Sequence, residues 1–133
     1  MRKPLYVFSG DWVSEEGGQR AKVKGVLDVV HGLRTKWLRG RGHAILMYMT
    51  TAERYRRRGA ATLCVQWGIE RCRELGIPAY LEASAEGRPV YEKLGFEVVE
   101  EVPVELDGDI QIERGMMWWP PGTKDEQKKP LNE

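Results

Sequence analysis

The run His43-Ala44-Ile45-Leu46-Met47-Tyr48-Met49-Thr50-Thr51 is apolar on both sides of a two-residue period, which predicts a central strand covered on both faces. From Ala60 to Leu75 apolar residues recur at three- and four-residue steps instead. A helix follows, expected to bury Leu63, Cys64, Trp67, Cys72 and Leu75. Upstream, Leu5 to Phe8, extending toward Val13, alternates as a strand. Ala21 to Arg39 then sets Val23, Val26, Leu27, Val30, Leu33 and Trp37 on one helical face until Gly40-Arg41-Gly42 stops it. Downstream, Pro78 cannot continue the second helix, and Ala79 to Ala83 forms a strand parallel to the first, joined by a right-handed crossover. Glu86 to Leu94 reads as a short helix and Gly95-Phe96 as a turn. Glu97 to Leu106 and Ile110 to Trp118 read as hairpin strands about Asp107-Gly108-Asp109. Trp37 and Trp67 are expected in the core. From Pro120 a polar, proline-containing stretch has little to bury, so a single α/β domain over 1–119 is expected with a disordered tail over 120–133.

Between the apolar run and the second helix lies Arg54-Tyr55-Arg56-Arg57-Arg58-Gly59-Ala60-Ala61-Thr62. A strand-to-helix turn of this kind is an anion site by construction. The first helical turn has unpaired N–H groups and the positive end of the helix dipole, and a glycine lets a phosphate approach the main chain. The four arginines add charge.

With 133 residues, 41% apolar and 31% charged, the chain has the composition of one globular domain. A formal net charge of +1 makes the arginine cluster a local feature, which weighs against nucleic acid as a partner. No apolar run approaches the roughly 18 residues that span a bilayer, and the start of the chain is too weakly apolar for a signal peptide. No membrane partner and a soluble, cytoplasmic setting are therefore expected. Cys64 and Cys72 lie too far apart along one helix to bridge, and nothing completes a metal site, so no metal is expected.

Three segments combine: Arg56-x-x-Gly59-x-Ala61 at a helix start, Leu81-Glu82-Ala83-Ser84 at a strand end, and Val90-Tyr91-Glu92-Lys93-Leu94-Gly95-Phe96. Over about residues 43 to 118 the chain resembles the GNAT family of N-acetyltransferases. Val65-Gln66-Trp67-Gly68-Ile69-Glu70 and Tyr80-Leu81-Glu82-Ala83-Ser84 are similar to fungal-type members. The resemblance implies a mixed central sheet with flanking helices, and acetyl-CoA as co-substrate. It implies a pyrophosphate on the turn Arg56, Arg57, Arg58, Gly59, Ala60, Ala61 and Thr62, and a pantetheine arm paired like an extra strand with Met49, Thr50 and Thr51. The N–H of Met49 would then polarise the thioester carbonyl, and Tyr91 would protonate the departing thiolate.

Two departures from the family pattern stand out. Related strands often carry a proton-handling side chain where this one has Ile45 and Met47. Glu82, on the neighbouring strand, is the substitute base, while His43 is better read as a structural residue at the strand end. About 40 residues precede His43, enough for one strand and one helix where the family usually has a strand and two helices, so the N-terminal half reads as shortened. A partner subunit could complete the acceptor wall, and a homodimer is expected. Ile45, Met47 and Ser84, with Met49, Met116 and Met117, are candidates for an apolar acceptor pocket that would take a small-molecule amine. A second reading keeps this fold without acetyl transfer, as a binder or converter of an apolar metabolite.

Overall fold

The computed structural model describes residues 14–131, so the strand expected from Leu5 lies outside the described residues. Seven main elements follow in order: α1 (Gln19–Leu38), β1 (Ala44–Ile45), α2 (Ala60–Leu75), β2 (Ala79–Glu82), α3 (Arg88–Lys93), β3 (Glu97–Leu106) and β4 (Asp109–Trp118). They form a mixed four-stranded sheet of order β1-β2-β4-β3. β1 runs parallel to β2, pairing Ala44 with Ala79 and Ile45 with Tyr80, and β2, β4 and β3 are antiparallel neighbours. Asp107 and Gly108 take the positive φ that a tight hairpin between β3 and β4 requires.

Helices cover the two faces of this sheet, and strand alternation divides the core between them. On one side Val65, Ile69 and Cys72 of α2 pack with Leu81, Ala83, Phe96 and Met116. On the other, Trp37 and Leu38 of α1 pack with Tyr80 and Met117. Met116 and Met117 are both fully buried, one in each layer.

Three sequence expectations change here. β1 is only two residues long and is an edge strand among the described residues, not a covered central one, with Met47 54% and Tyr48 86% exposed. α2 begins and ends where its periodicity placed it but turns the other way: Leu63, Cys64, Trp67 and Leu75 are exposed while Val65, Ile69 and Cys72 are buried. The helix carries two apolar stripes, and the sheet takes the one whose smaller residues allow close approach. The stretch after Pro120, expected as a disordered tail, lies along the C-terminal end of α1. Arg41 donates to the carbonyls of Gln127 and Lys129 while its guanidinium sits over the Trp119 ring, and the Leu131 N–H donates to the carbonyl of Lys36. Backbone hydrogen bonds, rather than apolar burial, hold that segment.

Burial therefore separates Leu81, sealed in the core, from Trp67, which was expected there and is exposed. Leu81→Ala should cost about 2–5 kcal/mol in urea unfolding, whereas Trp67→Ala should stay within about 0.5 kcal/mol of wild type. Equal losses from the two would contradict the observed orientation of α2.

Candidate active site

The site begins where the ladder between β1 and β2 stops. In a parallel pair, one residue bonds alternately to two positions on its neighbour. Ala44 donates to the carbonyl of Pro78, and Leu46 donates to the carbonyl of Tyr80 at 2.9 Å. The next rung would join the Glu82 N–H to the Leu46 carbonyl, and it is not formed. From there the two strands part, and the main-chain groups of 47–50 have no hydrogen-bond partner among the described residues. The Thr51 carbonyl is taken by the side chain of Arg56 at 3.0 Å.

The same segment then turns into α2. A short helical turn at Glu53–Tyr55 reverses the chain, and Gly59 serves as the N-cap of α2 at φ +81°. A Cβ at Gly59 would meet nothing within 4 Å, so glycine is needed for its backbone conformation rather than for space. Arg57 also sits in the left-handed region, at φ 62°, a strained position for a residue with a side chain. The N–H groups of Ala60, Ala61 and Thr62 open the helix without carbonyl partners, and the first helical bond runs from Leu63 to Gly59 at 3.0 Å. Arg54, Arg56, Arg57 and Arg58 are exposed and have no carboxylate partner among the described residues. Two of them, Arg54 and Arg58, lie over the ring of Tyr55 at 4.7 and 5.7 Å.

On the α1 face, Glu82 stands level with the missing rung. Arg34, from α1, donates through Nε at 2.8 Å and approaches through Nη2 at 2.7 Å, both to Oε1. Oε2 is sealed from solvent and has no partner among the described residues, and the same holds for the hydroxyl of Tyr80. Tyr80 lies flat on β4: a Cβ on Gly115, the register partner of Glu82, would come within 3.0 Å of the Tyr80 oxygen. Glycine at 115 thus makes the room that brings this phenol beside Glu82. Burial pushes the Glu82 carboxyl above the ordinary glutamate range, and Arg34 opposes that rise without cancelling it. Tyr80 is pushed up as well, first by burial and then by the Glu82 charge.

A model of the Acetyltransferase (GNAT) family matches residues 11–96. The chain belongs to the GNAT acetyltransferase family. An acetyltransferase of Stachybotrys chartarum is 39% identical over 57 residues, 43% of this chain and 25% of that protein. The probable acyltransferase SID5 of Ajellomyces capsulatus is 34% identical over 56 residues, 42% of this chain and 41% of that protein. The chain thus aligns with less than half the length of either relative. Arabidopsis thaliana NAA60, crystallised with a bisubstrate analogue, superposes with a TM-score of 0.53 at 17% identity, over 61% of this chain and 51% of its own. That likeness shows the fold.

In this GNAT chain the remaining candidates divide. Tyr91 is half-buried on α3, its ring edge-on to Phe96 at 5.9 Å, and burial raises its pKa, so the phenol keeps its proton at neutral pH. Its hydroxyl makes no hydrogen bond among the described residues. Ser84 is exposed, and its Oγ accepts the Gly87 N–H at 3.1 Å, a local turn bond rather than a pocket wall. Among the described residues the apolar pocket candidates are dispersed. Ile45 packs in the α1-side core and Met49 against the α2-side core, Met116 and Met117 fill opposite layers, and Met47 is exposed. His43 bonds through Nδ1 to the Arg41 carbonyl at 2.6 Å, a loop contact. Arg34 and Tyr80 were not among the sequence candidates. Tyr80 entered only as the first residue of the segment Tyr80 to Ser84 that carries the resemblance, two positions from Glu82, and Arg34 lies beside the core positions Leu33 and Trp37 without belonging to their stripe.

The Glu82 carboxyl is expected to titrate above the other glutamates in a carbon-detected NMR titration, and Arg34→Met is expected to raise it further, since Arg34 lowers it. Because the folded value exceeds the unfolded one, the proton-linked stability is full below the unfolded value. It is lost as pH rises through the folded one. A Glu82 that titrates with the exposed glutamates would contradict the described burial.

Proposed function

We propose that this GNAT chain is an acyl-CoA-dependent N-acyltransferase, with acetyl-CoA as donor and a small-molecule amine as acceptor. The observation that carries this reading is the coincidence of two features on one segment. The ladder opens after Leu46, and the freed strand runs directly into an arginine-rich turn at the N-terminus of α2. A pantetheine arm needs backbone partners of the first kind, and a pyrophosphate needs donors of the second.

In the proposed reaction the amine nitrogen attacks the thioester carbon, a carbon–nitrogen bond forms, and the carbon–sulfur pair leaves on sulfur. The N–H of Met49 supports the developing oxyanion. Glu82 takes the proton released from nitrogen, and Tyr91, kept protonated by its burial, returns one to the thiolate. Positioning supplies much of the acceleration, because a thiolate is a fair leaving group. The alternative of an apolar-metabolite binder depends on a methionine pocket, and the burial of Met116 and Met117 removes that support. A homodimer belongs to the proposal: the edge of β1 and the exposed Leu63, Trp67 and Leu75 of α2 are surfaces that a second copy would cover.

Calorimetric titration of CoA and acetyl-CoA is expected to show binding to the wild type and none to Gly59→Glu, with circular dichroism reporting that the variant is folded. Tyr91→Phe should keep CoA affinity and lower the thiol-release rate by about tenfold or more. Light scattering should give the mass of two chains. Absence of CoA binding, or equal binding by Gly59→Glu, would overturn the reading.

A further inference from the structure

The α1-facing side of the sheet carries more negative charge than its neighbours balance. Glu82, Gly115 and Glu113 share that face, because Glu82 is paired with Gly115 and Glu113 lies two residues further along β4. Glu100 is held by Lys36 at 2.6 Å and approached by the Trp37 Nε1 at 3.4 Å. Glu82 is held by Arg34 through Oε1 alone. Glu113, half-buried, has neither an ion pair nor a hydrogen bond among the described residues, although its charge acts on both Tyr80 and Glu82. Three carboxylates thus face two fixed cations, with His31 also within electrostatic reach of Glu82.

An acidic cluster alone would be a solvated surface. Here a second observation points inward. Tyr80 is 0% exposed, and its hydroxyl is sealed without a partner among the described residues, as is Oε2 of Glu82. Buried polar atoms are rarely left unsatisfied, and an orphaned phenol that reaches over Gly115 and feels the charges of Glu82 and Glu113 suits a ligand that donates hydrogen bonds and carries positive charge. β2 ends at Glu82, so among the described residues no strand flanks Glu113 on that side of β4.

We infer that Tyr80 and Glu113 form a recognition site for a second positive charge on the acceptor, next to the Glu82 base, so that the preferred acceptor class is a linear aliphatic diamine or polyamine rather than an apolar or aromatic amine. The inference rests on the acyl-transfer reading for what happens to the amine, but the recognition itself does not require CoA. Arg34 is a positioning residue in this arrangement: its contacts to Oε1 fix the Glu82 carboxylate. Glu113 supplies the uncompensated charge. A monoamine meets only part of this arrangement, and an aromatic amine leaves Glu113 unpaired.

The test is calorimetric titration of diaminobutane and butylamine into the wild type, Glu113→Gln and Tyr80→Phe, with CoA titrated into the same preparations. Wild type is expected to bind diaminobutane at least about tenfold more tightly than butylamine, and Glu113→Gln to bring the two within about twofold. Tyr80→Phe should weaken diaminobutane without altering the fold seen by circular dichroism. Equal affinities in the wild type, no binding of either amine, or a preference that survives Glu113→Gln would overturn the inference. CoA binding with no amine preference removes this inference and leaves the transfer reading. An amine preference without CoA binding supports the inference and removes the transfer reading.

Discussion

A buried or half-buried strand must give its backbone N–H and C=O groups to some partner, and β1 stops doing so after one rung beyond its own length. The Leu46 carbonyl and the Glu82 N–H should meet and do not. The rest of the site is arranged around that unmade bond. The segment it releases, 47–51, leads to the turn at Gly59, so the helix that caps the opening is fixed by the same stretch of chain that creates it. β2 in turn is fixed from its other side by β4 and from above by Arg34, so its unpaired edge is presented by a strand that cannot follow β1 away.

Charge is distributed in opposite senses about this opening. Four arginines with no carboxylate partner among the described residues stand where α2 begins, and a carboxylate surplus lies beneath α1. A formal net charge of +1 conceals both. On the proposed reading, an anionic donor would be drawn to the arginine turn and a cationic acceptor to the carboxylates. Burial acts on the two proton-handling candidates in the same direction and with different consequences. It makes Glu82 a stronger base than an exposed glutamate and keeps Tyr91 in its acid form.

Much of this was legible in the chain. The bounds of α2, β3 and the hairpin follow from period changes and turn residues, and the anion turn follows from Arg56, Gly59 and Ala61 between a strand and a helix. Orientation was not legible. α2 offers one stripe of Val65, Ile69 and Cys72 and another of Leu63, Trp67 and Leu75, and only the sheet opposite decides which is buried. The apolar run from Ala44 looks like a long strand because nothing local records that its neighbour's last rung is absent. Tyr80 and Glu113 were invisible for a related reason: their meaning lies in the register of β2 against β4 and in the space left by Gly115, which pairs residues more than thirty positions apart.

On the proposed function, the opened β1–β2 edge and the turn at Gly59 receive one acyl-CoA molecule together. Amide hydrogen exchange with and without acetyl-CoA tests it most directly. Slowed exchange confined to 47–51, to Ala60, Ala61 and Thr62, and to the N–H of Glu82 is the result expected. Unchanged exchange at those amides in the presence of saturating acetyl-CoA would contradict it.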